Sequence, residues 1–242
     1  MIEAEWLAAS DPDPMPKDEW WAASGDTMLE FLRGKASDRK LRLFAVAAYR
    51  RFWPMFTDHR NQRVVDVMEQ CADSLVPDEV LAAAFQEAEG AKNGLAPQVD
   101  SVSFYSEKTY STSVGMGLRS CPLHTTGAEK AWWEACVATR TPRAARRTPK
   151  AQQKESRYQT SLLRCLFDNL FRPVTFSPAW RTDTAVALAR QMYESRDFGA
   201  MPILADALQD AGCDSADVLD HCRGPGPHVR GCWVVDLVLG KE

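Results

Sequence analysis

The strongest constraint on this chain is the spacing of its apolar residues, which recur every three or four positions through both ends of the sequence. Leu41, Phe44, Ala45, Ala48 and Phe52 form one series. Val64, Val67, Met68, Cys71 and Leu75 form a second, and Leu81, Ala84, Phe85 and Ala88 a third. A helix gathers side chains at this spacing onto one face, so each segment has a stripe to bury against a neighbour. The punctuation agrees. Asp38 suits the N-cap of the first helix and Pro54 its end, while Pro77 suits the first position of the third. Asp78 and Glu79 then fall in the electropositive first turn, and Gly90 or Gly94 supplies the stop.

The same period returns in the last third of the chain. Leu162, Leu163, Leu166, Phe167 and Leu170 predict one amphipathic helix. FRPVTFSPAW, holding Pro173 and Pro178, reads as an extended connector, and further helices are expected over 183–195, 202–211, 215–222 and 232–239. Between the two ends the period fails. Residues 95–126 are rich in Ser, Thr, Tyr and Val and suit an ordered loop or a short hairpin. Helical character returns at 127–137, around Trp132 and Trp133. The expected fold is therefore mainly α, a bundle-like array with an irregular middle. An N-terminal helical region (1–94) and a C-terminal one (159–242) would pack together, with 95–158 looping out.

Composition narrows the class. No apolar run approaches the roughly 20 residues that a membrane-spanning helix needs. MIEAEW is acidic where a secretory leader would be basic, so a cytoplasmic protein is expected. Seven scattered cysteines, an odd number, do not make a disulfide framework, and all seven read as reduced thiols. A net charge of −4 gives no global case for nucleic-acid binding. Charge is nevertheless uneven: Arg140, Arg143, Arg146, Arg147, Lys150, Lys154 and Arg157 meet only Glu155 in that stretch. Pro142 and Pro149 break the run, which reads as a solvated linker. Its functional alternative is contact with an acidic protein or a nucleic acid.

EWLAAS at residues 5–10 returns as EWWAAS at residues 19–24. Two copies are too few for a solenoid. The duplicated Trp6 and Trp20 are the aromatic residues best suited to a partner surface, because tryptophan is enriched at binding hot spots.

EAEWLAASDPDPM and MLEFLRGKASDRKLRLFAVA near one end, and FRPVTFSPAW and MPILADALQDAGCDSADVLDHCRGPGPHVRGCWVVDLVLGK near the other, resemble a multi-copy planctomycete protein family. LADALQDAGCDSADVLDHCR is also similar to the repeat-companion helical motif of the same bacterial genomes. The resemblance implies a mostly helical fold and no transferable activity. Members often carry a Cys-Cys pair and a nearby His in the first long helix. Ala48-Tyr49 and Pro54 stand there in this chain, so it lacks whatever thiol or metal chemistry that helix supports elsewhere.

The densest collection of reactive side chains is late. Cys213, His221, Cys222, His228 and Cys232 offer enough nitrogen and sulfur for a tetrahedral zinc. Their spacing lacks a C-x2-C knuckle, and adjacent His221 and Cys222 point about 100° apart on a helix, so both can hardly serve one ion. Cys121 and His124 have a two-residue gap but would need a distant second pair. Cys71 and Cys165 fall on apolar helical faces and read as core fillers. In RGPGPHVRG, Pro225 and Pro227 remove two backbone donors, which argues against a phosphate cradle and for a stiff elbow between two buried segments. Cys222 with His228 and Asp220 could make a nucleophile, base and acid, without any signature around them. The residues thus favour a non-enzymatic protein-interaction or scaffold module without a cofactor. Partner contact would fall on Trp6, Trp20 or the basic stretch from Arg140 through Lys150. A small zinc- or thiol-dependent enzyme centred on Cys213 to Cys232 is one alternative, and a nucleic-acid-binding accessory protein is the other.

Overall fold

The computed structural model describes residues 1–9, 28–51, 53, 56, 59–93, 135, 149–168 and 170–241. Among these the chain is helical and contains no strand. The ten α-helices are α1 (Glu3–Ala8), α2 (Met28–Leu32), α3 (Asp38–Arg50), α4 (His59–Ala72), α5 (Asp78–Asn93), α6 (Pro149–Phe167), α7 (Asp183–Ser195), α8 (Met201–Asp210), α9 (Ala216–Arg223) and α10 (Trp233–Leu239). The mainly α expectation holds. The middle region with its suggested hairpin, Trp20, Cys121, His124 and Arg140 through Arg147 lie outside the described residues, as does the second EWxAAS copy.

The chain divides into two compact units, one of Ala9–Thr160 and one of Ile2–Ala8 with Ser161–Glu242. In the first, α4 packs on both α3 and α5. Ala45, Val46, Ala48, Tyr49, Val64, Met68, Leu81 and Ala84 are the buried centre, flanked by half-buried Phe85 and Ala88. Apart from exposed Leu75, and from Phe52, which lies outside the described residues, the predicted stripes of this unit are buried or half-buried. Ion pairs reinforce the same helices: Arg50 bridges Asp66 and Glu69 of α4 at 2.6 and 2.8 Å, and Arg42 meets Asp78 of α5 at 2.9 Å.

Two details differ from the sequence expectation. Ser37, in an extended conformation, caps α3 by accepting from the Lys40 amide, which leaves Asp38 as a first-turn acid. Helix α4 ends before Leu75 because Ser74 turns left-handed (φ 56°) and the chain closes with Leu75 N donating to Gln70 O and Ser74 N to Cys71 O. That closure is a Schellman motif, and it throws Leu75 out to 72% exposure instead of into the stripe.

The second unit is built from shorter helices. Helices α7 and α10, α8 and α9, and α7 and α8 pack pairwise around Ala189, Met192, Leu204, Leu208, Val218, Cys222, Val234 and Val238. Thr182 caps α7 by accepting from Ala185 N, and left-handed glycines follow two further helices, Gly212 (φ 88°) after α8 and Gly240 (φ 69°) after α10. In the first unit, the stop expected at Gly90 is not made, because α5 runs through it to Asn93. The connector is extended, as expected, with a 3-10 turn at Pro178–Trp180 that seats Trp180 edge-on to Phe176. Leu170 lies past the end of α6 and is exposed, so it does not extend that stripe.

Three arginines finish helices that have no room for longer caps. Arg164 donates to the Trp6 and Leu7 carbonyls at the end of α1, Arg230 to Tyr193 and Glu194 at the end of α7, and Arg181 to Leu237 at the end of α10. Each supplies a cation and donors to carbonyls left open by the helix geometry. Helix α1 thus belongs to the C-terminal unit, and Trp6 is fully buried there. The expectation that Trp6 lies at a partner surface is corrected: a six-residue helix is too short to stand alone, and its largest apolar side chain goes inside while Leu7 stays exposed.

The described end of the basic stretch, from Pro149 on, is helical and not a linker. Pro149 opens α6, the position where its missing N–H costs nothing, and Lys150, Lys154 and Arg157 are exposed positions on that helix. Glu155 is buried and pairs with Arg51 at 3.3 Å. No helix among the described residues is long and apolar enough to cross a membrane.

Candidate metal centre

Four side chains of the C-terminal unit converge: Cys165, His221, His228 and Cys232, whose ligand atoms all lie within 4.8 Å of one another. Helix α6 contributes Cys165 from its last turn. Its stripe turns this position inward beside Leu162 and Leu166, so the thiol is buried. Helix α9 contributes His221, also from the last turn. The loop after α9 contributes His228, and the residue that caps α10 contributes Cys232.

That loop is not the stiff extended spacer expected from its two prolines. Gly224 is extended (φ −65°, ψ 160°), as a residue before proline should be. Gly226 instead takes a left-handed φ of 82° and reverses the chain. The reversal folds His228 back, so that its Nε2 lies 3.3 Å from the Gly224 carbonyl and its ring packs edge-on against His221, centroids 4.9 Å apart. His221 places Nε2 3.2 Å from Cys232 Sγ and stacks its ring obliquely over Trp233. The elbow connects two buried segments, as predicted, and it also brings His228 into the cluster.

The electrostatics single out Cys232. Burial alone would push its thiol up. Interactions with Cys165, His221 and His228 outweigh that effect and hold it well below the ordinary thiol range. His228 shows the reciprocal balance: burial disfavours its charged form, the neighbouring Cys232 and the Gly224 carbonyl favour it, and its pKa is raised. The Nδ1 atom of His228 is buried and makes no hydrogen bond of good geometry.

Of the five late residues singled out from the sequence, the structure gathers His221, His228 and Cys232 and excludes two. Cys222, the next residue on α9, is fully buried in the apolar core, with its thiol pushed up by burial and by Cys232 and Cys213 nearby. Cys213 is buried behind the α8 turn, and desolvation raises it as well. A protonated, inaccessible thiol is no nucleophile, so the Cys222–His228–Asp220 arrangement is not formed. The fourth member of the cluster, Cys165, was read as a core filler. It is buried as expected, and it is also a donor of the cluster. Its only local signal is a cysteine on an apolar stripe, a pattern shared with Cys71, which lies in the core of the other unit. All five described cysteines are free thiols. Of the basic residues proposed for partner contact, Lys150 is described and exposed. Compared with protein-family models, with curated proteins and with solved structures, the chain finds no match.

Proposed function

We propose that the protein is a non-enzymatic helical interaction or scaffold module whose C-terminal unit is held together by one structural zinc ion on Cys165, His221, His228 and Cys232. The observation that carries this reading is the convergence of two thiols and two imidazoles, drawn from separate segments, to within 4.8 Å. A tetrahedral zinc, with bonds of about 2.3 Å to sulfur and 2.0–2.1 Å to nitrogen, sets its ligand atoms roughly 3.3–3.8 Å apart. The His221–Cys232 pair, at 3.2 Å, is slightly closer than that range, and a contraction of about 1 Å brings in the most distant pair. Calcium and magnesium would ask for oxygen donors. Two Cys and two His complete a tetrahedron and leave no position for water or substrate, which is the signature of a structural and not a catalytic zinc.

Metal content of the purified full-length chain tests this. About one zinc per chain is expected, lost in Cys165→Ser and retained in Cys71→Ser. Absence of zinc from protein produced with ample zinc would overturn the metal reading, and a cobalt-substituted protein with the spectrum of a five-coordinate, water-bound ion would overturn the structural role. For the module, the partner-binding stretch is Arg140, Arg143, Arg146, Arg147 and Lys150. Reversing Arg143, Arg146 and Arg147 to Glu should abolish capture of an acidic partner, and unchanged capture would remove the stretch from the interaction.

A further inference from the structure

The two histidines of the cluster present different nitrogens. Resting on the metal reading above, we infer that His221 binds the ion through Nε2 and His228 through Nδ1, and that Gly224 and Gly226 are the positioning residues that impose the second choice. For His221 the geometry is direct, since Nε2 is the atom 3.2 Å from Cys232 Sγ. For His228 it follows from the loop. Nε2 lies 3.3 Å from the Gly224 carbonyl, and a carbonyl oxygen only accepts, so Nε2 carries the hydrogen. A neutral imidazole has one N–H, which leaves the lone pair on Nδ1, the buried atom without a hydrogen-bond partner.

The loop backbone gives a second line of support. A Cβ built on Gly226 would lie 3.0 Å from His228 N, 3.2 Å from Cδ2 and 3.7 Å from Nε2. The Cδ2–Nε2 edge of the ring therefore faces the turn, and the Nδ1 edge faces away from it. Metal-bound histidines commonly donate their other N–H to a carbonyl in this way, which fixes the tautomer and the ring plane. Gly226 is required twice, for its left-handed φ of 82° and for the space beside the ring.

The test uses the full-length zinc-loaded protein with ¹⁵N-labelled histidine. Long-range ¹H–¹⁵N correlation should show His228 Nδ1 bound to metal with Nε2 protonated, and His221 Nε2 bound with Nδ1 free of metal. In chelator competition, Gly226→Ala should lower zinc affinity about 10–100-fold, the range typical of lost support around a ligand. Gly212→Ala, at φ 88° but with open space around its Cβ, should leave it within about threefold; it carries the same backbone strain without touching a ligand. Zinc bound with His228 attached through Nε2 overturns this inference and leaves the metal reading standing. Equal losses in the two glycine variants, or none in Gly226→Ala, overturn the positioning role. No zinc at all overturns both readings. Should Gly226→Ala fail to fold, the nitrogen assignment in the unaltered protein still decides.

Discussion

The two units solve the same problem with different materials. In the N-terminal unit the packed helices α3, α4 and α5 run for 13, 14 and 16 residues, long enough for broad apolar faces, and ion pairs such as Arg50–Glu69 and Arg42–Asp78 tie them side chain to side chain. In the C-terminal unit α9 and α10 have 8 and 7 residues. Helices that short are unstable by themselves and bury little surface each. There, beside an ion pair between Arg223 and Asp206, ties run from arginine to helix-end carbonyls, and the four thiol and imidazole groups meet where α6, α9 and α10 need joining. Shorter elements call for a stronger point of attachment, and the ion proposed for the cluster would supply one.

The sharpest way to break this comparison is to remove the attachment. Chelation, or Cys165→Ala, should destabilise the C-terminal unit by several kcal/mol. Structural zinc in small peptides supplies about 10–16 kcal/mol of apparent binding energy linked to folding, but this unit also has a core of its own. Hydrogen exchange should rise across α9 and α10 while α3 and α4 keep their protection. Equal effects on both units would end the comparison. Next in size is the converse experiment in the N-terminal core: Leu81→Ala empties a fully buried site and should cost about 2–5 kcal/mol with zinc content unchanged. Glu69→Ala should cost about 2–3 kcal/mol. It strands part of the Arg50 charge, but Arg50 keeps Asp66 and remains partly exposed, which places the loss below that of a fully buried pair. The smallest effect is expected for Arg230→Ala, about 1–2 kcal/mol from two lost carbonyl bonds at the end of α7, read as a lower melting temperature of the zinc-loaded protein. A larger loss at Arg230 than at Cys165 would show that the arginine caps, and not the cluster, carry the C-terminal unit.

Much of this architecture was readable from the chain, for an identifiable reason. The helices declare themselves through stripes such as Val64, Val67, Met68 and Cys71, and some of their ends through local signals such as Pro77 with Asp78 and Glu79 at the start of α5, whereas the cap of α3 fell one residue from its expected place, on Ser37 instead of Asp38. Leu75 was misplaced because its stripe spacing is perfect while the chain has already turned at Ser74, a residue with no strong preference for a left-handed conformation. The candidate site was readable in three of its four members. His221, His228 and Cys232 share one segment, whereas Cys165 comes from a helix far upstream, and no spacing rule spans that gap. The two glycine-proline pairs were read alike, yet only Gly224 is extended. Nothing in the local sequence distinguishes Gly226, at a left-handed φ of 82°, from the extended Gly224.

The distance along the chain between Cys165 and its three companions sets the order of events during synthesis. A ribosome working at about 5–20 residues per second would expose the first thiol seconds before His221, His228 and Cys232 exist. The nascent helix would have to keep that sulfur reduced and unclaimed in the meantime. A chain that stalls or is cut anywhere before Cys232 could never close the cluster, so capture of the proposed ion would report that translation has run through to Cys232.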